Sequence, residues 1–186
     1  RERGEPLKIA TLKSEQDRRR VTTAFDAGKI TALHAAPAIS GSVIEECTNI
    51  VALAGIEQIQ AALKTGADII IAGRATDTAV IAALPIARGC HRGAAWHGAK
   101  VAECGALATT NPNSGVILMS FDKTGFVIEP MAEFAAATPY TVSAHMLYEN
   151  ANPFILHEPG GYLDVSESRY IALDERVVRV LSLIHI

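Results

Sequence analysis

Apolar and polar positions along the chain follow helical and strand periods in turn over its first two-thirds. Ser14 with Asp17 has the look of an N-cap with an acidic first turn, opening a helix that stops at Gly28. Ile30 to Ala38 suggests a short strand and loop, Val43 to Cys47 a single helical turn, and Ile50 to Ala54 a buried strand. Ile56, Ile59 and Leu63 recur at helical spacing, which predicts a helix over Ile56 to Lys64 closed by Gly66. Asp68 to Ala72 is too short for a helix and rich in Ile, so it reads as a strand covered on both faces. The two strands and the helix between them would form a βαβ unit with adjacent parallel strands.

The pattern changes after residue 90. Ala94 to Thr109 is periodic as a helix; Gly115 to Phe121 and Gly125 to Ile128 flank Asp122-Lys123-Thr124 as a hairpin. A short helix is expected from about Val142 to Glu149, and GGYLDVSESRYIALDERVVRV reads as turns and antiparallel strands. The fold class expected is α/β: a mixed, partly parallel sheet with flanking helices and an antiparallel, strand-rich C-terminal part.

Composition narrows this picture. A chain of 186 residues, 49% hydrophobic, is long enough for one domain with a sizeable core. A net charge of -3 without a basic block leaves no footprint for nucleic acid, and Arg18-Arg19-Arg20 reads as a solvated helix face. No stretch approaches the roughly 20 apolar residues of a membrane span, and RERGEPLK has no signal-peptide core, so a soluble, cytoplasmic protein is expected. Cys47, Cys90 and Cys104 have no C-x-x-C spacing and read as reduced thiols. The hexapeptide LSLIHI is what a transposase adapter used for sequencing libraries encodes. Residues 1–180 are therefore expected to be one α/β domain fragment, with Leu181 to Ile186 an adapter artefact, few tertiary contacts there and no functional weight on His185.

Polar residues set into this apolar pattern mark the candidate chemistry. Beyond the second apolar run lies GRATD, at the carboxyl end of a strand, where open α/β sheets bind ligands. Thr76 or Asp77 can cap the next helix, and Arg74 offers a planar donor fork for a carboxylate or phosphate. Equally, Asp77 can be a cap alone and Arg74 its partner. A buried guanidinium would have to meet a carboxylate from Asp77, Glu103, Glu149 or a ligand. No G-x-G-x-x-G or G-x-x-x-x-G-K-[ST] is present.

In AWHGAKVAECGALA, His97, Val101, Cys104 and Ala108 share one helical face and Trp96, Lys100, Glu103 and Leu107 the neighbouring sector. His97 is either a satisfied core histidine beside an inert buried cysteine, or a base or substrate contact, with or without Cys104; Lys100 is a candidate substrate contact. His145 and Glu149, four apart, could orient an imidazole for proton transfer, make a structural hydrogen bond, or give two metal ligands for which no third is apparent; no metal is assigned. In HEPGGYLD, Glu158 and Asp164 flank Gly160 and Gly161, a turn able to bring backbone N–H groups to a ligand or simply a hairpin loop.

The runs GIEQIQAALKTGADIIIAGRATDTAV, AWHGAKVAECGAL and TPYTVSAHMLYENANPFILHEPGGYLDVSESRY, in this order and spacing, resemble the acyclic terpene utilisation AtuA family up to about Val180. The resemblance implies a bacterial catabolic protein for acyclic terpenes such as citronellol and geraniol, or for related branched acids handled as CoA thioesters. It implies a fragment lacking a Gly-rich N-terminal segment and a C-terminal continuation. It assigns no residue roles and names no cofactor. The function expected is an enzyme or enzyme subunit using acid–base chemistry on a small carboxylate or acyl-CoA, with His97, His145 and Glu149 catalytic and Arg74, Asp77, Lys100, Glu158, Gly160 and Gly161 binding. The alternative is a non-catalytic subunit that binds a ligand or partner. A homo-oligomer or a partner subunit fits either.

Overall fold

The computed structural model of the chain describes residues 4, 6–33, 35–158 and 161–182. The first half combines helices with one parallel strand pair: β1 (Ile9–Leu12), α1 (Arg18–Asp26), α2 (Gly41–Glu46), α3 (Ile56–Lys64), β2 (Ile69–Ala72), α4 (Asp77–Ala87) and α5 (Arg92–Ala102). The second half holds β3 (Ile117–Phe121), β4 (Gly125–Pro130), α6 (Pro139–Ala144), β5 (Ile155–Glu158), β6 (Gly161–Asp164), β7 (Arg169–Ala172) and β8 (Val178–Leu181). Short 3₁₀ turns follow α5 at Gly105–Ala108 and α6 at His145–Leu147.

The fold is α/β, as the pattern predicts, with parallel and antiparallel pairing segregated. Among the described residues β1 pairs with β2 in parallel, Ile9 opposite Ile69. A separate antiparallel sheet runs in the order β3-β4-β8-β7, and β5 and β6 form a hairpin.

Several elements form where their local signals lie. Helix α3 spans Ile56–Lys64, with Gln58 accepting from the N–H of the Gly55 cap and Gly66 in the left-handed conformation beyond its end. The β3–β4 hairpin turns on Asp122, whose Oδ1 accepts from the N–H groups of Thr124 and Gly125. Arg18, Arg19 and Arg20 are exposed on α1.

Other expectations are corrected. Ile50 to Ala54 is not a buried strand: it makes only isolated bridges, Val51 to Glu15 and Ala54 to Ala75, and Val51 and Leu53 are more than half exposed. The parallel neighbour of β2 is therefore β1. Nor is β2 covered on both faces, since Ile69 and Ile71 are exposed while Ile70 and Ala72 are half-buried. The cap of α1 is Asp17, accepting from Arg20 N, while Ser14 bonds the backbone of Arg74 instead. Residues 30–33 and 35–38 form no strand. The helix expected through Thr109 ends at Ala102, and the one expected through Glu149 ends at Ala144, before Glu149 itself turns to a φ of 60°.

The core forms where α5 packs between α4 and the antiparallel sheet. Ala82, Ala83, Ala95 and Ala99 are fully buried and let α4 and α5 approach closely, while Gly98 faces Phe121 and Phe126. From the sheet, Phe126, Ile128, Val178 and Val180 close the core. This sets the middle of α5 against β3 and β4 and leaves its C-terminal turn next to the segment after α6.

Candidate functional site

Two neighbourhoods, one around the middle of α5 and one at its C-terminal turn, hold the polar groups. The first surrounds His97, which the alternation of Ala94, Ala95, Ala99 and Val101 carries into the core. Its ring is fully buried, edge-on to Phe126 at 5.2 Å and to Tyr170 at 5.9 Å. Nδ1 lies 3.0 Å from Ser182 Oγ and 3.5 Å from Ser168 Oγ, and Nε2 lies 3.2 Å from Tyr170 Oη. Burial drives the imidazole down from its ordinary value to about 3, so it is neutral at physiological pH. The same burial pushes the Tyr170 phenol up to about 12.

Ser168 and Tyr170 also line a cavity of about 420 Å³. Its walls come from α6 and the following turn, including Ala144, Met146 and Leu147, and from Pro153, Phe154 and Val165. His97 thus touches the cavity only through the two hydroxyls in front of it.

The second neighbourhood is the C-terminal turn of α5 with the segment after α6. Lys100 Nζ donates to Glu103 Oε1 in an ion pair. Burial pulls the Lys100 ammonium down, but hydrogen bonding and attraction to Glu103, with Cys104 and Glu149 adding, outweigh it and the net shift is upward. Cys104 is pushed up by burial and then by Glu103, which together with Glu149 and Asp77 outweigh the opposing Lys100 ammonium, so it remains a thiol rather than an activated nucleophile. His145 is 5% exposed and stacks on Tyr148 at 5.7 Å. Burial lowers its pKa, opposed by a hydrogen bond to the backbone of Lys100 and by Glu149. Its Nε2 is buried with no hydrogen-bond partner among the described residues.

Of the residues chosen from sequence, Asp77, Lys100 and Glu149 lie within electrostatic reach of Cys104, and Lys100 and Glu149 within reach of His145. Glu149 reaches this cluster from a left-handed turn rather than from the helical position expected beside His145. His97 stands apart, on the sheet side of α5. Thr76, not Asp77, caps α4, with its side chain accepting from Ala79 N; Asp77 occupies the first turn.

Arg74 is exposed and makes no ion pair among the described residues. The expected carboxylate partner is absent because β2 is open on one face, so water can solvate the guanidinium. None of Arg74, His97 and His145 lines the 420 Å³ cavity. Gly161 opens β6 as the partner of Glu158 in the β5–β6 hairpin, which agrees with the hairpin reading of that loop; Gly160 lies outside the described residues, as does His185. Leu181 and Ser182, expected to make few contacts, are engaged: Leu181 pairs with Gly125 and Arg169, and Ser182 is fully buried against His97.

Sequence reasoning missed Ser168, Tyr170 and Ser182. Residues 168 and 170 are two apart at the entry to β7, so strand alternation places them on one face, a signal present in the sequence. Nothing local ties that face to His97.

No curated protein and no solved structure matches the chain. A sequence model of a family described as acyclic terpene utilisation family protein AtuA matches residues 1–184. The chain belongs to the AtuA family, whose members serve in acyclic terpene utilisation.

Proposed function

We propose that the chain is a component of acyclic terpene catabolism that holds the aliphatic part of a terpene-derived substrate in the cavity between α6 and β7. The observation carrying this reading is the 420 Å³ cavity itself, walled by Met146, Leu147, Phe154 and Val165 with hydroxyls at its floor. That volume and lining suit a branched chain of about ten carbons with one polar end. In the enzymatic form of this reading, proton transfer falls to His145, whose buried Nε2 has no hydrogen-bond partner among the described residues, near the Lys100–Glu103 pair and Glu149. Arg74, exposed and without an ion-pair partner among the described residues, is the cation available to an anionic group such as a carboxylate or the phosphates of an acyl-CoA.

A second reading, a ligand-binding subunit without catalysis, is favoured by one observation: His97, the histidine bonded to the cavity's Tyr170, is neutral and fully buried behind it.

Calorimetric titration with citronellol tests the shared claim. Saturable binding is expected, and Ala144→Trp, which fills the cavity from the end of α6, should abolish it while leaving the thermal midpoint nearly unchanged. Absence of saturable binding to the native chain, or unchanged binding by the variant, refutes the cavity reading. A turnover assay on the acyl-CoA then separates the two forms: His145→Gln should lower kcat at least about a hundredfold if His145 moves the proton, whereas the subunit reading predicts no turnover in either protein.

A further inference from the structure

The cavity floor has a feature that goes deeper than its size. Its lining includes Ser143, Ser166, Ser168, Tyr140 and Tyr170 among apolar residues and, among the described residues, no Lys, Arg, His, Asp or Glu. The space is open on the side of the exposed Tyr140, Leu147 and Phe154, but a carboxylate brought against the partly buried Ser168 and Tyr170 would give up water there without meeting a countercharge, which is unfavourable. A neutral oxygen meets no such cost and finds hydroxyls to bond.

Those hydroxyls are organised from behind. A neutral imidazole has one N–H and one lone pair, and His97 presents both to hydroxyl groups, with Nε2 at 3.2 Å from Tyr170 Oη and Nδ1 at 3.0 Å from Ser182 Oγ. If Nε2–H donates to the phenol oxygen, the Tyr170 O–H is released to donate into the cavity, and the imidazole Nδ1 accepts from Ser182. If Nε2 accepts from Tyr170, the phenol oxygen is left to accept, and Nδ1–H donates to Ser182. The relay can therefore answer a ligand acceptor or a ligand donor by exchanging tautomers, with no charge appearing at any stage. Ser168, only 3.5 Å from Nδ1 and so weakly held, adds a second hydroxyl on the same floor.

We infer that the floor formed by Ser168 and Tyr170, backed by His97 and Ser182, selects a neutral oxygen head group, an alcohol or an ester-type carbonyl, on an aliphatic chain and discriminates against the free carboxylate of the same chain. This rests on the cavity reading given above and specifies its ligand. Tyr170 is the residue that touches the head group; His97 is a positioning residue that acts through it.

Three probes with one carbon skeleton test this: citronellol, the methyl ester of citronellic acid, and citronellate at pH 7.5, titrated into the native chain and into Tyr170→Phe. The phenyl ring keeps the packing against His97, so the variant should fold. The alcohol and ester should bind the native chain at least tenfold more tightly than the carboxylate. Tyr170→Phe should weaken alcohol and ester about tenfold, equivalent to about 1.4 kcal/mol, and leave the carboxylate unchanged. Carboxylate binding as tight as that of the alcohol overturns the inference, as does a variant that weakens all three alike or none; the first of these needs no variant at all. If none of the three binds, the cavity reading itself fails, and the inference with it.

Discussion

His97 shows how a single ionisable residue sets a pH limit on the fold. Its folded pKa near 3 lies below the ordinary value of 6.5, so the folded state disfavours the proton that the unfolded chain accepts. Its stabilising contribution is complete above pH 6.5 and falls away as pH drops toward 3. Over the two pH units from 6.5 to 4.5 that amounts to roughly 2–3 kcal/mol. The urea midpoint should fall accordingly over this window, and His97→Gln should flatten the fall. His145, also depressed by burial, contributes with the same sign, so a residual slope is expected in the variant. Gly125 is a second decisive residue: a Cβ there would stand 1.9 Å from the carbonyl oxygen of Val180, and backbone cannot yield as a side chain does. Gly125→Ala should destabilise by about 3 kcal/mol in urea unfolding, by prising β4 from β8. The importance of His97 was partly legible in the sequence, since its neighbours are apolar at helical spacing. Its partners were not, because Tyr170 and Ser182 arrive from 73 and 85 residues away.

Elements divide in the same way, by whether their determinants are local. Helix α3 and the β3–β4 hairpin were readable because spacing, cap and turn residues lie within a few positions of each other. The partner of β2 was not, because Ile9 and Ile69 meet across a separation of 60 positions and KIATLKS carries no continuous apolar run. Ile50 to Ala54 misled in the opposite direction: an apolar run marks a strand only where something covers it, and Val51 and Leu53 remain exposed. The hairpin also carries its own pH signature. Asp122 receives a bidentate contact from Arg179 at 2.7 and 2.8 Å, and this guanidinium, more than the turn N–H groups, holds its carboxyl well below the usual carboxylate range. That contribution is present above the unfolded value near pH 4 and is lost only as pH falls further, below the window in which His97 acts. Because the carboxylate is half exposed, solvent screens the pair, and Asp122→Ala should cost only about 1 kcal/mol at pH 7, measured as a shift in urea midpoint.

For the whole molecule, the order β3-β4-β8-β7 makes β8, the last strand among the described residues, an interior one. Val127 and Arg179 are partners, so the strand that fills the sheet is made long after the hairpin it joins. During synthesis at roughly 5–20 residues per second, β4 waits for roughly 3–10 s with one edge unpaired. His97 waits longer for Ser182, 85 positions away, roughly 4–17 s at the same rates. Throughout that interval the nascent chain offers an open strand edge beside Phe126 and Ile128, a template for pairing with any other emerging strand. Slow translation over residues 130–180 would lengthen this exposure, so the yield of folded protein from a ribosome depends on elongation speed in a segment that contains most of the cavity and little of the edge at risk.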